Sequence, residues 1–159
     1  MLIKFIYTFF LALLIALFVG LGIDTFYPGP KEPSYPVEID QVKQGCEESL
    51  QQQAVRKQFN LAQEKYMEAS KPYNRNVSII SLVASIIILT LSLSLLAKIK
   101  MIADGILLGG VFTTVYSIIR GLMSENSQYR FIIVTIGLTI TVALGYIKFI
   151  RGKGNRGNK

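Results

Sequence analysis

Histidine is absent from this 159-residue chain, and cysteine occurs once, at Cys46. The absence of histidine excludes most ligand sets for zinc, haem and iron–sulfur clusters. It also excludes nucleophilic catalysis assisted by an imidazole base. The motifs G-x-S-x-G, G-x-x-x-x-G-K-[ST] and H-E-x-x-H are missing too. We therefore predict a protein that is not an enzyme and has no catalytic, cofactor-binding or metal-ligating residues.

Long apolar runs are the dominant feature of what is present. A helix needs roughly 20 apolar residues to cross a bilayer core of about 30 Å. Four runs come close to or exceed that length: Leu2–Ile23, Val77–Ala97, Ile102–Met123 and Phe131–Ile150. The predicted fold is an all-α membrane protein with four transmembrane helices and a short extracytoplasmic amphipathic helix. Its predicted parts are a first helix (1–23), an extracytoplasmic segment (24–76), a three-helix transmembrane bundle (77–150) and a basic tail (151–159).

Basic residues outnumber acidic ones by 17 to 10, and they are unevenly placed. Lys4, Lys98 and Lys100 flank apolar runs, and the segment Lys148–Lys159 contains basic residues but no acidic one. Short basic segments remain in the cytoplasm. With four spans, all of these segments fall on one side of the membrane. We therefore predict cytoplasmic N and C termini in a cell membrane.

The basic tail is predicted to contact lipid headgroups through Lys148, Arg151, Lys153 and Arg156. A basic cluster next to a membrane is attracted to anionic lipid by about 1 kcal/mol per charge. The same side chains could contact RNA phosphates, or they could do no more than fix the topology. We expect membrane lipids as partners and no nucleic acid.

The first apolar run could be an anchor or a signal peptide. It is longer than the core of a signal peptide, which has about 7–15 residues, and no A-x-A site follows it. Gly20-Leu21-Gly22 nevertheless offers small residues for cleavage. We expect an uncleaved anchor. Cys46 has no partner cysteine, so it is either a free thiol or half of an intermolecular disulfide.

The external segment combines a proline-rich strap with an amphipathic helix. Four prolines between Pro28 and Pro36 predict a stiff, polyproline-like strap, which is a spacer or, with Tyr35, a ligand for a proline-binding groove. Glu47–Ser70 is predicted to form a helix that Pro72 ends or kinks. The helix has an apolar seam at heptad spacing, with these predicted partner-binding residues: Val55, Phe59, Ala62 and Tyr66. The seam could pack on the protein's own external loops, on a second copy, on a partner or on the membrane surface.

Small residues recur every four positions in the third run and line one narrow helix face: Gly105, Gly109, Thr113, Ser117 and Gly121. The fourth run repeats this spacing with Gly137, Thr141 and Gly145. Such faces let helices approach closely in lipid. We therefore predict that the third and fourth spans pack face to face. Serines of the second span are also expected to face the bundle: Ser78, Ser81, Ser85 and Ser92.

A polar path is the alternative interpretation of the hydroxyl groups. Hydroxyl side chains can line a pore with weak binding sites, and the candidates are Thr113, Thr114, Tyr116, Ser117, Thr135, Thr139 and Tyr146. Against this, no ionisable side chain lies near mid-bilayer, where proton relays and coupled transporters place them. Asp104 is predicted to cap the third helix. Arg120 is predicted to reach the outer surface, where it could form a lipid-headgroup site with Glu125 or Arg130.

Two segments carry a resemblance: Gly22-Ile-Asp-Thr-Phe-Tyr-Pro-Gly-Pro and Ala103-Asp-Gly-Ile-Leu-Leu-Gly-Gly-Val-Phe-Thr. They resemble uncharacterised small four-span membrane proteins of bacteria with reduced genomes. The resemblance implies a bacterial cytoplasmic membrane and no particular activity.

The expected function is that of a non-enzymatic scaffold or accessory subunit of a membrane complex. This expectation rests on the small-residue faces, the external seam and the missing catalytic groups. The alternative is a small oligomeric channel or solute permease. Expected protein partners are further copies of the chain or another membrane protein, and no cofactor is expected.

Overall fold

The computed structural model describes residues 2–36, 50–95, 99–124 and 126–147, and the regular structure within these ranges is helical. The helices are α1 (Leu2–Phe26), α2 (Leu50–Leu95), α3 (Lys100–Leu122) and α4 (Ser127–Gly145). Each of the four contains a stretch that is long and apolar enough to cross a membrane. The chain therefore has the helices of a multi-pass membrane protein, as its four apolar runs predicted.

The chain divides into two units. One unit contains α1, α3, α4 and the part of α2 that begins at Asn74. The other is Gly29–Tyr73, which contains the proline-rich strap and the first part of α2. The boundary between them lies close to the predicted start of the second span at Val77.

Within the four-helix unit, helices that follow one another in the chain alternate in direction. Leu11 of α1 lies against Gly105 of α3, and Ile15 lies against Gly109. Residue numbers therefore increase in the same direction along both helices, which are parallel. Contacting residues of α3 run in the opposite sense to those of α2 and of α4, so both are antiparallel to α3. The first turns of α1 and α3 therefore lie at one end of the unit, which is called the Lys4 end. The first turn of α4 and the last turn of α3 lie at the other end, which is called the Arg120 end.

Pro72 does not end the helix, in contrast to one of the two outcomes that the sequence predicted. α2 has 46 residues in all and continues through Pro72, whose ring lies on the exposed surface. A proline inside a helix removes one backbone hydrogen bond and costs about 3 kcal/mol. The adjoining turns hold their own contacts, because Tyr73 packs against Gly29 and Asn74 accepts a hydrogen bond from Arg120.

The start of α3 also differs from the prediction. The helix begins at Lys100 after Ile99, which provides no side-chain cap, so the prediction that Asp104 caps this helix is wrong. The amide of Ala103 already donates to the carbonyl of Ile99 at 3.0 Å, so helical hydrogen bonding is established one residue before Asp104. α4 does begin with a cap, because the Asn126 side chain accepts hydrogen bonds from two amides of the first turn.

Small and hydroxyl-bearing residues dominate the interior of the four-helix unit, whereas large apolar side chains lie mostly on its outside. Fully buried serines and threonines include Ser78, Ser81, Ser85, Ser92, Thr113 and Ser117. This distribution is typical of helices packed in lipid, where the outer surface needs apolar groups and close contacts need small ones.

The unit Gly29–Tyr73 pairs an extended strap with a helix. The half-buried residues of the strap are Pro30, Pro33 and Pro36, with exposed residues between them. This spacing of three matches the three residues per turn of a polyproline helix. Its length also fits, because Gly29 contacts Tyr73 and Tyr35 contacts Phe59. Six residues at about 3.1 Å per residue span roughly the same distance as fourteen helical residues at about 1.5 Å.

Candidate functional site

The small-residue face of α3 is a contact surface for α1. A methyl group added at Gly105 would lie 2.7 Å from Cδ2 of Leu11, and one added at Gly109 would lie 2.9 Å from Cβ of Ile15. Both glycines are buried. The helix that covers this part of the face is therefore α1. The four-residue spacing had led to the prediction that α4 covers it. The difference arises because spacing identifies a face of one helix and does not identify the neighbour that covers it.

The contact between α3 and α4 uses other residues of the predicted set. A methyl group at Gly137 would lie 2.6 Å from Cδ1 of Ile118, and one at Gly121 would lie 3.0 Å from Cγ2 of Ile133. Gly121 also approaches α2, because its added methyl group would lie 2.9 Å from Oγ of Ser78. Each helix thus packs an isoleucine side chain against a glycine of the other: Ile118 of α3 against Gly137, and Ile133 of α4 against Gly121.

The remaining α4 residues of the predicted set do not make such close contacts. Gly145 has open space around an added methyl group in the described part of the chain, with no atom within 4 Å. Thr141 donates a hydrogen bond to the carbonyl of Gly137 in its own helix, at 2.9 Å. Conversely, Gly110 was not singled out from the sequence, yet an added methyl group would lie 2.6 Å from Cδ2 of Leu89. It falls outside the four-residue pattern because it faces α2.

Hydrogen bonds join α2 to α3 inside the apolar part of the unit. Oγ of Ser78 donates to the carbonyl of Ser117 at 2.8 Å, and Oγ of Ser117 donates to the carbonyl of Ser78 at 2.7 Å. At the Lys4 end, Oγ of Ser92 donates to the carbonyl of Ala103 at 2.7 Å. All of these serines are fully buried. The structure therefore brings the serine face of α2 against the small-residue face of α3.

The threonines of the predicted polar path are hydrogen-bonded within their own helices. Thr113 and Thr114 are buried and donate to carbonyls one turn earlier in α3. Thr135 and Thr139 do the same in α4, but their side chains are exposed, as is that of Tyr146. The structure thus splits the proposed path into a buried group on α3 and an exposed group on α4.

A polar cluster lies at the Arg120 end of the unit. The Arg120 guanidinium donates to Oδ1 of Asn74 at 2.8 Å and to the hydroxyl of Tyr116 at 3.1 Å, and it lies 5.5 Å from the centre of the Tyr116 ring. Arg130 donates to the carbonyl of Ser124 at 2.6 Å. The Ser124 hydroxyl is buried and has no hydrogen-bond partner among the described residues. Arg120 thus joins α2 to α3 and is not a side chain that only extends to the surface.

The seam of the external helix is partly covered by the strap. Tyr35 meets the ring of Phe59 edge to face, with ring centres 5.3 Å apart and an angle of 79°. Val55 and Tyr66 are half-buried and Ala62 is exposed. One of the alternatives left open by the sequence, packing on the protein's own external segment, is therefore present at Phe59.

Other predicted residues lie outside the described ranges. These are Cys46, Lys98, Glu125 and the tail residues Lys148, Arg151, Lys153 and Arg156. Within the described ranges, no group of three histidine, cysteine or acidic residues is arranged to hold a metal ion.

Comparisons with family models, with curated proteins and with solved structures find no match to this chain.

Proposed function

We propose that this chain is a non-enzymatic scaffold or accessory subunit of a membrane complex. The observation that carries the proposal is the use of the buried hydroxyl groups. Ser78, Ser117 and Ser92 donate their protons across the contact between α2 and α3, and Thr113 and Thr114 donate theirs within α3. Hydroxyls used in this way stabilise a helix assembly. A rigid helix assembly suits a subunit that holds others in place.

The partner contact is proposed for the external unit. Its seam places apolar groups along one face of the helix, at Val55, Phe59, Ala62 and Tyr66. The strap covers Phe59, while Ala62 remains exposed. An exposed alanine beside aromatic side chains lets a partner helix approach the seam closely. The partner is a membrane protein or a second copy of the chain.

The test is extraction of the complex in native lipid, followed by measurement of its mass and composition. A foreign protein at fixed stoichiometry, or a defined homo-oligomer, is the expected result. Ala62→Arg should dissociate the partner because it places a large charge on the seam. Asn60→Arg is the matched control, since Asn60 is exposed about 200° away around the helix. A chain that extracts alone, or equal effects of the two variants, would contradict the proposal.

The proposed location is a bacterial cytoplasmic membrane with both termini in the cytoplasm. Two features support it: the parallel arrangement of α1 and α3, and the basic residues Lys4 and Lys100 at the same end of the unit. A reporter that is active only in the cytoplasm, fused after Lys159, should be active. Activity of a periplasm-specific reporter at the same position would contradict the orientation.

A small oligomeric channel or solute permease is the second candidate. One observation favours it: Thr135, Thr139 and Tyr146 are exposed on α4 at spacings of four and seven, so they share one helix face. In a ring of copies that face could line a lumen. Thr139→Leu should then lower ion flux through liposomes that contain the protein, whereas Thr90→Leu on α2, another exposed threonine, should not. Absence of flux from the unaltered protein would exclude this candidate.

A further inference from the structure

A groove of about 400 Å³ lies between the first turns of α1 and α3, at the Lys4 end of the four-helix unit. Its lining consists of Lys4, Phe5, Thr8, Lys100, Met101 and Asp104. The volume falls within the range of about 300–1,000 Å³ that is usual for small-ligand sites. The groove is far from the external seam in sequence and plays no part in the packing of α3 against α2 or α4.

The charges that line the groove favour an anion. Lys4 and Lys100 contribute two ammonium groups and Asp104 contributes one carboxylate, which leaves one positive charge in excess. Within the described residues, neither ammonium group makes an ion pair or hydrogen bond. The Thr8 hydroxyl donates its proton to the carbonyl of Lys4 at 2.8 Å, so the lysines are the donors that can meet a ligand. A single phosphodiester carries the complementary charge of one.

The remaining wall of the groove is apolar and faces outward. Phe5 is 70 % exposed and Met101 is 38 % exposed, although both are large apolar side chains. They lie where the apolar stretches of α1 and α3 begin, next to the two lysines. In a membrane, the boundary between charged and apolar residues would lie where the bilayer changes from phosphate groups to acyl chains. A phosphate with attached hydrocarbon chains can contact both the lysines and the apolar side chains of the groove. A free anion would leave the apolar side chains uncovered.

We propose that this groove binds an anionic phospholipid. Lys4 and Lys100 hold the phosphate, and Phe5 and Met101 contact the glycerol backbone and the first methylene groups of the acyl chains. A bound lipid would also bridge α1 and α3 at an end where no described hydrogen bond joins them. This proposal does not depend on the scaffold function, because lipid binding and partner binding involve different units.

The experiment uses the full chain in nanodiscs made from phosphatidylcholine with increasing fractions of phosphatidylglycerol. Native mass spectrometry counts the phospholipids that remain bound after the nanodisc is removed. The expected result is one phosphatidylglycerol per chain, retained in preference to phosphatidylcholine. Lys4→Gln and Lys100→Gln should each lower the apparent affinity about fivefold, which corresponds to about 1 kcal/mol per cation at an anionic surface. Lys→Arg replacements at both positions should retain binding.

A further variant separates a specific site from general charge attraction. Arg75→Gln removes an exposed positive charge at the Arg120 end of the unit and should leave retention unchanged. Circular dichroism checks that each variant keeps its helical content.

Several results would overturn the proposal. They are equal retention of the two lipids, a loss in Arg75→Gln as large as that in Lys4→Gln, and unchanged retention in the Lys4→Gln/Lys100→Gln double variant. Displacement of the lipid by excess inorganic phosphate would identify a site for free anions instead.

Discussion

Replacement of Gly109 by alanine tests the contact between α1 and α3 at a point that side-chain rotation cannot relieve. The added methyl group would lie 2.9 Å from Cβ of Ile15, and ordinary contact begins at 3.4 Å. Because Cβ is fixed to the backbone, α1 must withdraw by about 0.5 Å. Overpacking of this kind costs about 1–3 kcal/mol. Alanine also favours a helix over glycine by about 1 kcal/mol, so the net destabilisation is about 0–2 kcal/mol.

A second glycine-to-alanine variant serves as a control for the difference in helix propensity between the two residues. Gly20 lies within α1 and has no atom within 4 Å of an added methyl group in the described part of the chain. Gly20→Ala should therefore be neutral or stabilising. The free energies of unfolding of the two variants should differ by about 1–3 kcal/mol, the overpacking term alone. Unfolding of the purified protein in mixed micelles with increasing dodecyl sulfate, followed by circular dichroism, gives both values.

A double variant identifies the partner. Ile15→Ala removes Cγ2 and Cδ1, which lie 3.0 and 3.1 Å from the added methyl group, although Cβ remains. Gly109→Ala combined with Ile15→Ala should therefore be more stable than the sum of the single effects predicts, with a coupling of at least about 0.5 kcal/mol. If the two glycine variants unfold at the same detergent fraction, or if the double variant shows no coupling, the assignment of this face to α1 is wrong.

Three further predictions follow from single contacts. Ser78→Ala should destabilise the four-helix unit by about 0.6–1.7 kcal/mol, the range for hydrogen bonds between membrane helices, in thermal unfolding in detergent. Ser81→Ala should cost less, because the Ser81 hydroxyl bonds only to carbonyls of its own helix. Asn126→Ala should destabilise the first turn of α4 by about 0.5–2 kcal/mol, the usual cost of losing a cap, with faster amide exchange there. Tyr35→Ala should remove a ring contact worth about 0.5–1.5 kcal/mol beyond its buried area, and amide exchange around Phe59 should rise.

Each of these predictions has a contradicting outcome. Equal stability of Ser78→Ala and Ser81→Ala would mean that the bonds between α2 and α3 contribute nothing measurable. Unchanged exchange at the start of α4 in Asn126→Ala would show that water replaces the cap without loss. Unchanged exchange around Phe59 in Tyr35→Ala would show that the strap does not protect the helix.

The sequence predicts the four candidate spans, because the length of each apolar run shows that it could cross a membrane. It does not predict that the external helix and the second span form one continuous helix, α2. It also identifies which α3 residues are small enough for close contact, since Gly105 and Gly109 stand out by spacing alone. The spacing on α3 does not reveal the neighbour, although α1 also has small residues every four positions, at Ala12, Ala16 and Gly20. α1 contributes Leu11 and Ile15, and in the sequence these two cannot be distinguished from side chains that face lipid.

Helix ends were harder to predict than helix faces. The position of Asp104 resembled a cap, but capping depends on where the backbone hydrogen bonds begin, and they begin near Ile99. Pro72 is a strong local signal against a helix, whereas the two residues that follow it, Tyr73 and Asn74, make contacts with residues distant in sequence that the local signal cannot show. Asn126 could have been identified from the sequence, since an asparagine directly before a helical stretch is a common cap.

The pairing of Gly105 with Leu11 and of Gly109 with Ile15 permits one axial register between α1 and α3. A shift of α1 by one turn would place Ile15 against Thr113 in one direction, or Leu11 against Met101 in the other, and neither offers the space of a glycine. The uncharged stretch of α1 between Lys4 and Asp24 has 19 residues, so it is about 28 Å long at a rise of about 1.5 Å per residue, close to a hydrocarbon core of about 30 Å. In a bilayer of different thickness, a single helix can relieve the hydrophobic mismatch by changing its own depth or tilt. The fixed register would make α1 and α3 tilt together, so that bilayer thickness would act on the pair and not on either helix alone.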